Sequence, residues 1–432
     1  MRTSSYGVAA AALWTAAAVA CATSNDAEAT ADEGPGPTVL GNASVPEDGG
    51  SPTPDAAVVD ASDASDASAS AQLCSTAGWC KVDLPDESLS VVDIWPLADR
   101  VFAIAKTPYL GTKVLEWDGA EDVWTYIDDG TENEIDETGF FRDASAIWAP
   151  NDHEVYYTVA SKTSGFVYHG ERPVPPATAW KWTRSVFQTC AAVKLWVYGT
   201  GSDDVYAASC NTIYRKGAGD PADADSGVPA GWTVDHVEND PISDALFSGA
   251  SGTGPADIWF AGGRRKPGLT GACSLVLHRT AAGYEPIVDS KVESNGSCTK
   301  KDGVLAFSGG VFSFLHQTGP GRVIVVADPS IPVRFTQNAD GRYAYAFANV
   351  SPPSGRLKAA WIPSEDDFWI SRDTSGQVLR ARSVWGDGGA YEYSSIALNG
   401  AAILTPMQQI RGTSNTNLWA VGGNYVFHKT TP

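Results

Sequence analysis

The pattern that most restricts this chain is an apolar–aromatic pair that returns about every fifty residues. It reads Val101-Phe102, Val155-Tyr156, Val205-Tyr206, Ile258-Trp259, Val311-Phe312, Phe368-Trp369 and Leu418-Trp419, with spacings of 54, 50, 53, 53, 57 and 50 residues. A near-constant period of this length marks a ring or solenoid built from one supersecondary unit per repeat. The clearest unit, Ile410 to His428, reads IRGTSNTNLWAVGGNYVFH. It contains three short apolar runs divided by Gly-Thr-Ser and Gly-Gly-Asn. Glycine and asparagine supply the turns, and aromatic and β-branched residues favour strand over helix.

Other positions keep the register. Asp99, Glu154, Asp204, Asp257, Asp367 and Asn417 stand just before the pair; Trp95, Trp148, Trp196 and Trp361 fall in the preceding strand; and the following strand carries His169, His278 and His428 at one shared slot. Four strands in each unit predict an all-β chain, a single β-propeller of seven four-stranded blades. The fifth unit, LAFSGGVFSFLH from Leu305, matches least, and a six-bladed ring with a long insertion there is the alternative. The seventh unit ends without an outer strand, whereas Gly78-Trp79-Cys80-Lys81-Val82 precedes the first. Pairing of residues 79–84 with the C-terminal strand is therefore expected to close the ring and cover its edges.

Ahead of the repeats the composition changes twice. Residues 1–21 have Arg2, an Ala-rich apolar run and Ala18-Val19-Ala20-Cys21, the layout of an export signal too short for a membrane span. Residues 22–73 hold ten acidic residues, no Lys or Arg, and the run DASDASDAS. Such a segment cannot bury enough apolar surface to order itself and reads as a tether, with an end-to-end distance on the order of 40 Å. The domain is expected to span 74–432.

Residues from Cys74 onward include 41 acidic and 29 basic side chains, so no basic nucleic-acid footprint is present. Cys74, Cys80, Cys190, Cys210, Cys273 and Cys298 form an even set in an exported chain. Neighbour pairing within units predicts Cys74 with Cys80, Cys190 with Cys210, and Cys273 with Cys298. No metal-ligand spacing or nucleophile motif occurs, and no catalytic residue or cofactor is assigned.

Partner-binding candidates lie on long loops, because loops on a rigid scaffold carry sites. The loop from Asp128 to Asp143 contains Asp128, Asp129, Glu132, Glu134, Asp136 and Glu137, hard oxygens of the kind calcium takes. Gly262 to Cys273 contains Arg264, Arg265 and Lys266, suited to a carboxylate, sulfate or acidic sugar. For both loops solvated surface is the better reading. The histidines of the shared slot read as structural packing. Most tryptophans follow the repeat, leaving Trp180, Trp182, Trp385 and Tyr391 outside it.

Gly412 to Gly422 and Glu116-Trp117-Asp118-Gly119 resemble the G-T-S-x-x-D-[VL]-W-A-V-G repeats of bacterial secreted propeller lipoproteins, with a more distant likeness to kelch and WD40 repeats. Cys21 likewise resembles the acylated cysteine of a lipobox, with ordinary cleavage after A-x-A as the alternative. These resemblances imply a lipid anchor at Cys21 and, without a following aspartate, sorting to the outer membrane with the domain facing the periplasm or the medium. The expected role is a monomeric, non-enzymatic binding or scaffold module for a glycan or protein partner, touching membrane only through its lipid. The alternative is a propeller enzyme acting on polysaccharide through carboxylates such as Asp203 or Asp366.

Overall fold

A computed structural model describes residues 74–431 apart from 109–110, 134–142, 162–163, 189–194, 218–227, 241, 267–270, 306, 308–309, 328–330, 354 and 374. The export segment, Cys21 and the acidic tether lie outside the described residues.

The chain enters at β1 (Trp79–Val82) and then lays down sheets from the ring axis outward. Blade 1 contains β2 (Ser90–Pro96), β3 (Arg100–Thr107), β4 (Gly111–Asp118) and β5 (Val123–Tyr126). Blade 2 contains β6 (Asp143–Trp148), β7 (Glu154–Ala160), β8 (Ser164–Glu171) and β9 (Lys181–Gln188). Blade 3 is β10 (Trp196–Gly201), β11 (Asp204–Ser209), β12 (Thr212–Lys216) and β13 (Trp232–Val237). Blade 4 is β14 (Asp244–Gly254), β15 (Asp257–Arg265), β16 (Ala272–Thr280) and β17 (Gly283–Val292), with β18 (Cys298–Lys300) added at its edge. Blade 5 consists of β19 (Phe312–Gly319), β20 (Arg322–Ala327), β21 (Ile331–Gln337) and β22 (Tyr343–Phe347). Blade 6 consists of β23 (Leu357–Trp361), β24 (Asp367–Arg372), β25 (Ser375–Arg382) and β26 (Ala390–Ser395). After the small hairpin β27 (Ala397–Leu398) and β28 (Ala401–Ala402), blade 7 is made by β29 (Gln409–Ser414), β30 (Asn417–Gly422) and β31 (Tyr425–Lys429).

The fourth strand of blade 7 is β1, antiparallel to β31 in the register Trp79↔Lys429 through Val82↔Val426. The expected N-to-C closure is present, shorter at its end than residues 79–84. The seven four-stranded blades make the chain a seven-bladed β-propeller.

Apolar faces pack blade on blade. At the closing seam, Trp419, Val421 and Val426 join Val91, Ile94, Trp117 and Trp124 in one cluster. Burying side chains of this size contributes roughly 1.5–3 kcal/mol each. Gly412 and Gly199 in the turn motif permit a close approach: a Cβ would lie 2.8 Å from the Asn417 carbonyl oxygen in one case and 2.6 Å from that of Asp204 in the other.

The recurring polar residues form one device. The acid before the second strand faces the base of the third: His278 Nε2 lies 2.8 Å from Asp257 Oδ1, and Arg380 Nε donates to Asp367 Oδ1 at 2.7 Å. Arg215 pairs with Asp204 at 3.0 Å, and His428 with Asn417 Oδ1 at 3.1 Å. The base also covers the second-strand aromatic. His169, His278 and His428 stack on Tyr156, Trp259 and Trp419 at centroid separations of 4.3, 4.1 and 4.1 Å. Blade 1 reverses the charges, Arg100 on β3 meeting Glu116 on β4 at 3.0 Å.

Two alignments are corrected. Val311-Phe312 does not lie in a second strand; Phe312 opens the innermost strand of blade 5, whose second strand is β20. That strand, RVIVVA, has Arg322 in the acid slot and Ile324 in the aromatic slot, so it lacks both markers. Trp196 does not share the position of Trp148 and Trp361. Tyr198 does, facing Tyr206 as Trp148 faces Tyr156 and Trp361 faces Trp369.

Disulfides join Cys74 to Cys80 and Cys273 to Cys298, as neighbour pairing predicted. Cys210 is disulfide-bonded, while Cys190 lies outside the described residues. These bonds are consistent with an exported protein. No helix among the described residues is long and apolar enough to cross a membrane.

Candidate functional site in the central channel

The seven innermost strands enclose a cavity of about 750 Å³ on the ring axis. Each blade contributes one residue to a layer facing the third residue of its second strand, Trp95, Trp148, Tyr198, Ser251, His316, Trp361 and Arg411, and all but Trp148 line the cavity. In four blades this residue is aromatic; in blades 4, 5 and 7 it is polar.

Asp93 anchors the polar side and is 1% exposed. Arg411 donates to it through Nε at 3.0 Å and Nη2 at 3.3 Å, and the Ile94 and Ile147 amides donate at 2.9 and 3.1 Å. Four donors leave this carboxylate engaged on both oxygens. Arg411 also lies over the Trp95 ring at 4.8 Å. His316 makes a 3.1 Å contact from Nε2 to the Ala360 carbonyl oxygen. Burial and, secondarily, the nearby Arg411 charge push its pKa down to about 4, so it is neutral at neutral pH.

Nearer the end where the inner strands begin, the ladder register shifts by one residue in five blades, at Val92, Ser145, Ser248, Ser313 and Lys358. All five residues line the cavity. A bulge adds a residue to one strand and re-aims its side chain.

The loop candidates lie elsewhere. Asp128 accepts from Lys113 Nζ at 2.8 Å and from the Val114 amide at 3.2 Å. Asp129 closes a local turn with Thr131 at 2.7 Å. Glu132 is 1% exposed, accepting from Asn133 Nδ2 at 2.8 Å and from the Tyr157 hydroxyl at 3.5 Å. Burial, reinforced by Asp128 and Asp129, raises its pKa to about 7. Glu134, Asp136 and Glu137 lie outside the described residues. No cluster of potential metal ligands occurs among the described residues.

Arg264 corrects its expected place on a loop. It belongs to β15, is 1% exposed, and is paired with Asp289 at 2.5 Å and with Glu238. Its charge is neutralised within the protein. Arg265 ends the same strand, and Lys266 follows half-buried. Trp180 and Trp182 stack on each other and pack onto the blade 1–2 core, and Trp385 and Tyr391 pack at the blade 5–6 seam. None of these four lines the channel.

The channel groups Asp93, His316, Lys358 and Arg411 were not singled out by sequence. Their signal is departure from the repeat: the layer reads mostly Trp or Tyr, and His316 and Arg411 break it.

The chain is similar to several solved structures at low identity. The catalytically inactive virginiamycin B lyase from Staphylococcus aureus with quinupristin gives a TM-score of 0.48 at 11% identity, covering 82% of this chain and 99% of that one. A streptogramin B lyase gives 0.49 at 10% identity, covering 81% and 96%, and a protein from Lactobacillus plantarum gives 0.47 at 10%, covering 76% and 89%. Likeness at this level carries nothing about activity. No protein-family model matches the chain, and no curated protein matches it. The resemblance to lipoprotein repeats therefore stands for the propeller fold alone.

Proposed function

We propose that this protein is a non-enzymatic binding module whose ligand, a glycan or an extended protein segment, occupies the central channel, and that a lipid on Cys21 holds it at the outer membrane. The observation that carries the binding reading is the channel itself, in which aromatic faces and a few polar groups converge on one cavity within the ~300–1,000 Å³ range of ligand sites. Its most buried carboxylate, Asp93, has both oxygens occupied by donors of the protein itself. Asp203 and Asp366, the acids considered for glycoside cleavage, are exposed on turns of blades 3 and 6. That separation across the ring does not favour the paired-carboxylate arrangement of glycosidases.

A glycan and polysaccharide array probed with the purified exported chain tests the reading. Retention without shortened products is the expected result; chain cleavage overturns the non-enzymatic assignment, and silence shifts the ligand to protein. Cys21→Ser should release the protein from the membrane fraction. A wild-type chain already in the soluble fraction would overturn the anchor.

A further inference from the structure

We propose that the channel takes an anionic saccharide, its ring against Trp95 and Trp196 and its carboxylate against Lys358, on the opposite side of the ring from Trp196. The inference rests on the binding-module reading and names the ligand class of that site.

The first argument is position. At the bulge level the channel presents valine in blade 1 and serine in blades 2, 4 and 5; blade 6 presents Lys358. Its ammonium has no hydrogen-bond or ion-pair partner among the described residues. A bulge is the device by which a strand turns one side chain out of its ladder, and here it turns a cation toward the cavity.

The second argument is a surplus of donors. The Lys358 ammonium, the indole N–H groups of Trp95 and Trp196, and Nη1 of Arg411 find no protein acceptor among the described residues. Lysine, arginine and tryptophan side chains donate and do not accept. The acidic groups on the wall are Asp93, already engaged, and Asp373, which accepts the Arg356 amide at 3.2 Å. Arg356, Lys358 and Arg411 therefore outnumber the acids in a domain that is acidic as a whole. A ligand rich in acceptors and carrying negative charge complements this set through charge-assisted hydrogen bonds.

The third argument is shape. Trp196 stacks on Tyr198 at 5.7 Å in blade 3, and Trp95 stands in blade 1, giving an apolar wall for a ring. Blade 6 lies across the ring from blade 3, so one ligand meets both walls. A bare phosphate or sulfate would leave the aromatic wall unused. A nucleic acid calls for an excess of basic charge, whereas the residues from Cys74 onward hold 41 acidic and 29 basic side chains.

The test measures tryptophan fluorescence and calorimetric binding of the full exported chain with trigalacturonate and with its neutral methyl ester. Variants are Lys358→Ala and, as a control on the exposed outer strand, Lys181→Ala, each checked by thermal melting. The acid should bind about tenfold or more tightly than the ester. Lys358→Ala should remove that preference while leaving ester binding and the melt unchanged, and Lys181→Ala should change nothing. Equal binding of acid and ester overturns the anionic class while leaving the binding module standing. Acid binding indifferent to Lys358→Ala overturns the placement, and binding of neither compound overturns the proposal, with the array still deciding the broader reading. Shortened products would overturn the non-enzymatic role and leave the charge preference to be read from the same pair.

Discussion

Glu132 shows how much one buried carboxyl can set the pH response of a seam. It sits beneath Tyr157, beside Asp128 and Asp129, and its pKa rises to about 7 chiefly because burial disfavours the charge. A group whose folded pKa lies above its unfolded value stabilises fully below the unfolded value of 4.5 and loses that contribution as pH rises through 7. Glu132→Gln keeps the shape and removes the ionisation. Urea unfolding should find the variant more stable than wild type at pH 8 by on the order of 2 kcal/mol, and no more stable at about pH 4, below the unfolded value. His428 works in the opposite sense. Its pKa is lowered to about 4 by burial against Trp419, so its contribution fades as pH falls from 6.5 toward 4. His428→Gln should flatten the loss of stability across that window, measured by the same unfolding series; an unchanged slope would assign the acid sensitivity to other groups.

Between strands, the repeated unit is a charged pair laid over an aromatic, and blade 1 shows that its polarity is reversible. Asp367 receives two bonds from Arg380, whose guanidinium lies 5.1 Å from the Trp369 ring. Asp367→Ala leaves that cation unpaired and should cost about 2 kcal/mol in chemical unfolding. Asp367→Arg with Arg380→Glu copies the Arg100–Glu116 arrangement and should recover at least half the stability lost by the worse single variant; no recovery would mean that the slot reads side-chain shape, not charge balance. This unit explains what was legible. Where acid and aromatic are both present, as in Asp257-Ile258-Trp259, the second strand is readable from sequence alone. In blade 5 neither marker is present, and the pattern caught Phe312 one strand early. The channel was illegible for a related reason. Periodicity identifies positions that agree between repeats, whereas Lys358, His316 and Arg411 matter because they differ from their counterparts. Arg264 was illegible for another reason: it reads as part of a basic cluster in one dimension, but Asp289 and Glu238, 25 and 26 residues away, neutralise it in three.

At the scale of the whole molecule, the ring holds because its last sheet is made from both ends of the domain. Trp79 on β1 is fully buried, its indole N–H donating to Ser394 Oγ at 2.9 Å and its ring meeting Trp369 edge-on at 6.1 Å. It joins blade 7 to blade 6 as well as completing blade 7. Replacing a buried tryptophan by alanine costs about 3–5 kcal/mol where the site cannot collapse. The location of the damage is the sharper consequence. If β1 closes the ring, Trp79→Ala should lower amide exchange protection first at Val426 and Phe427 of β31, whose partners are Val82 and Lys81. Blades 2 to 4 should keep theirs until global unfolding, since each propeller sheet rests mainly on its neighbours. Exchange mapped by mass spectrometry separates this from a uniform loss of stability. Uniform loss would mean that the ring opens as one cooperative body, in which case the channel, lined by all seven inner strands, would lose its ligand at the same denaturant concentration that frees β31.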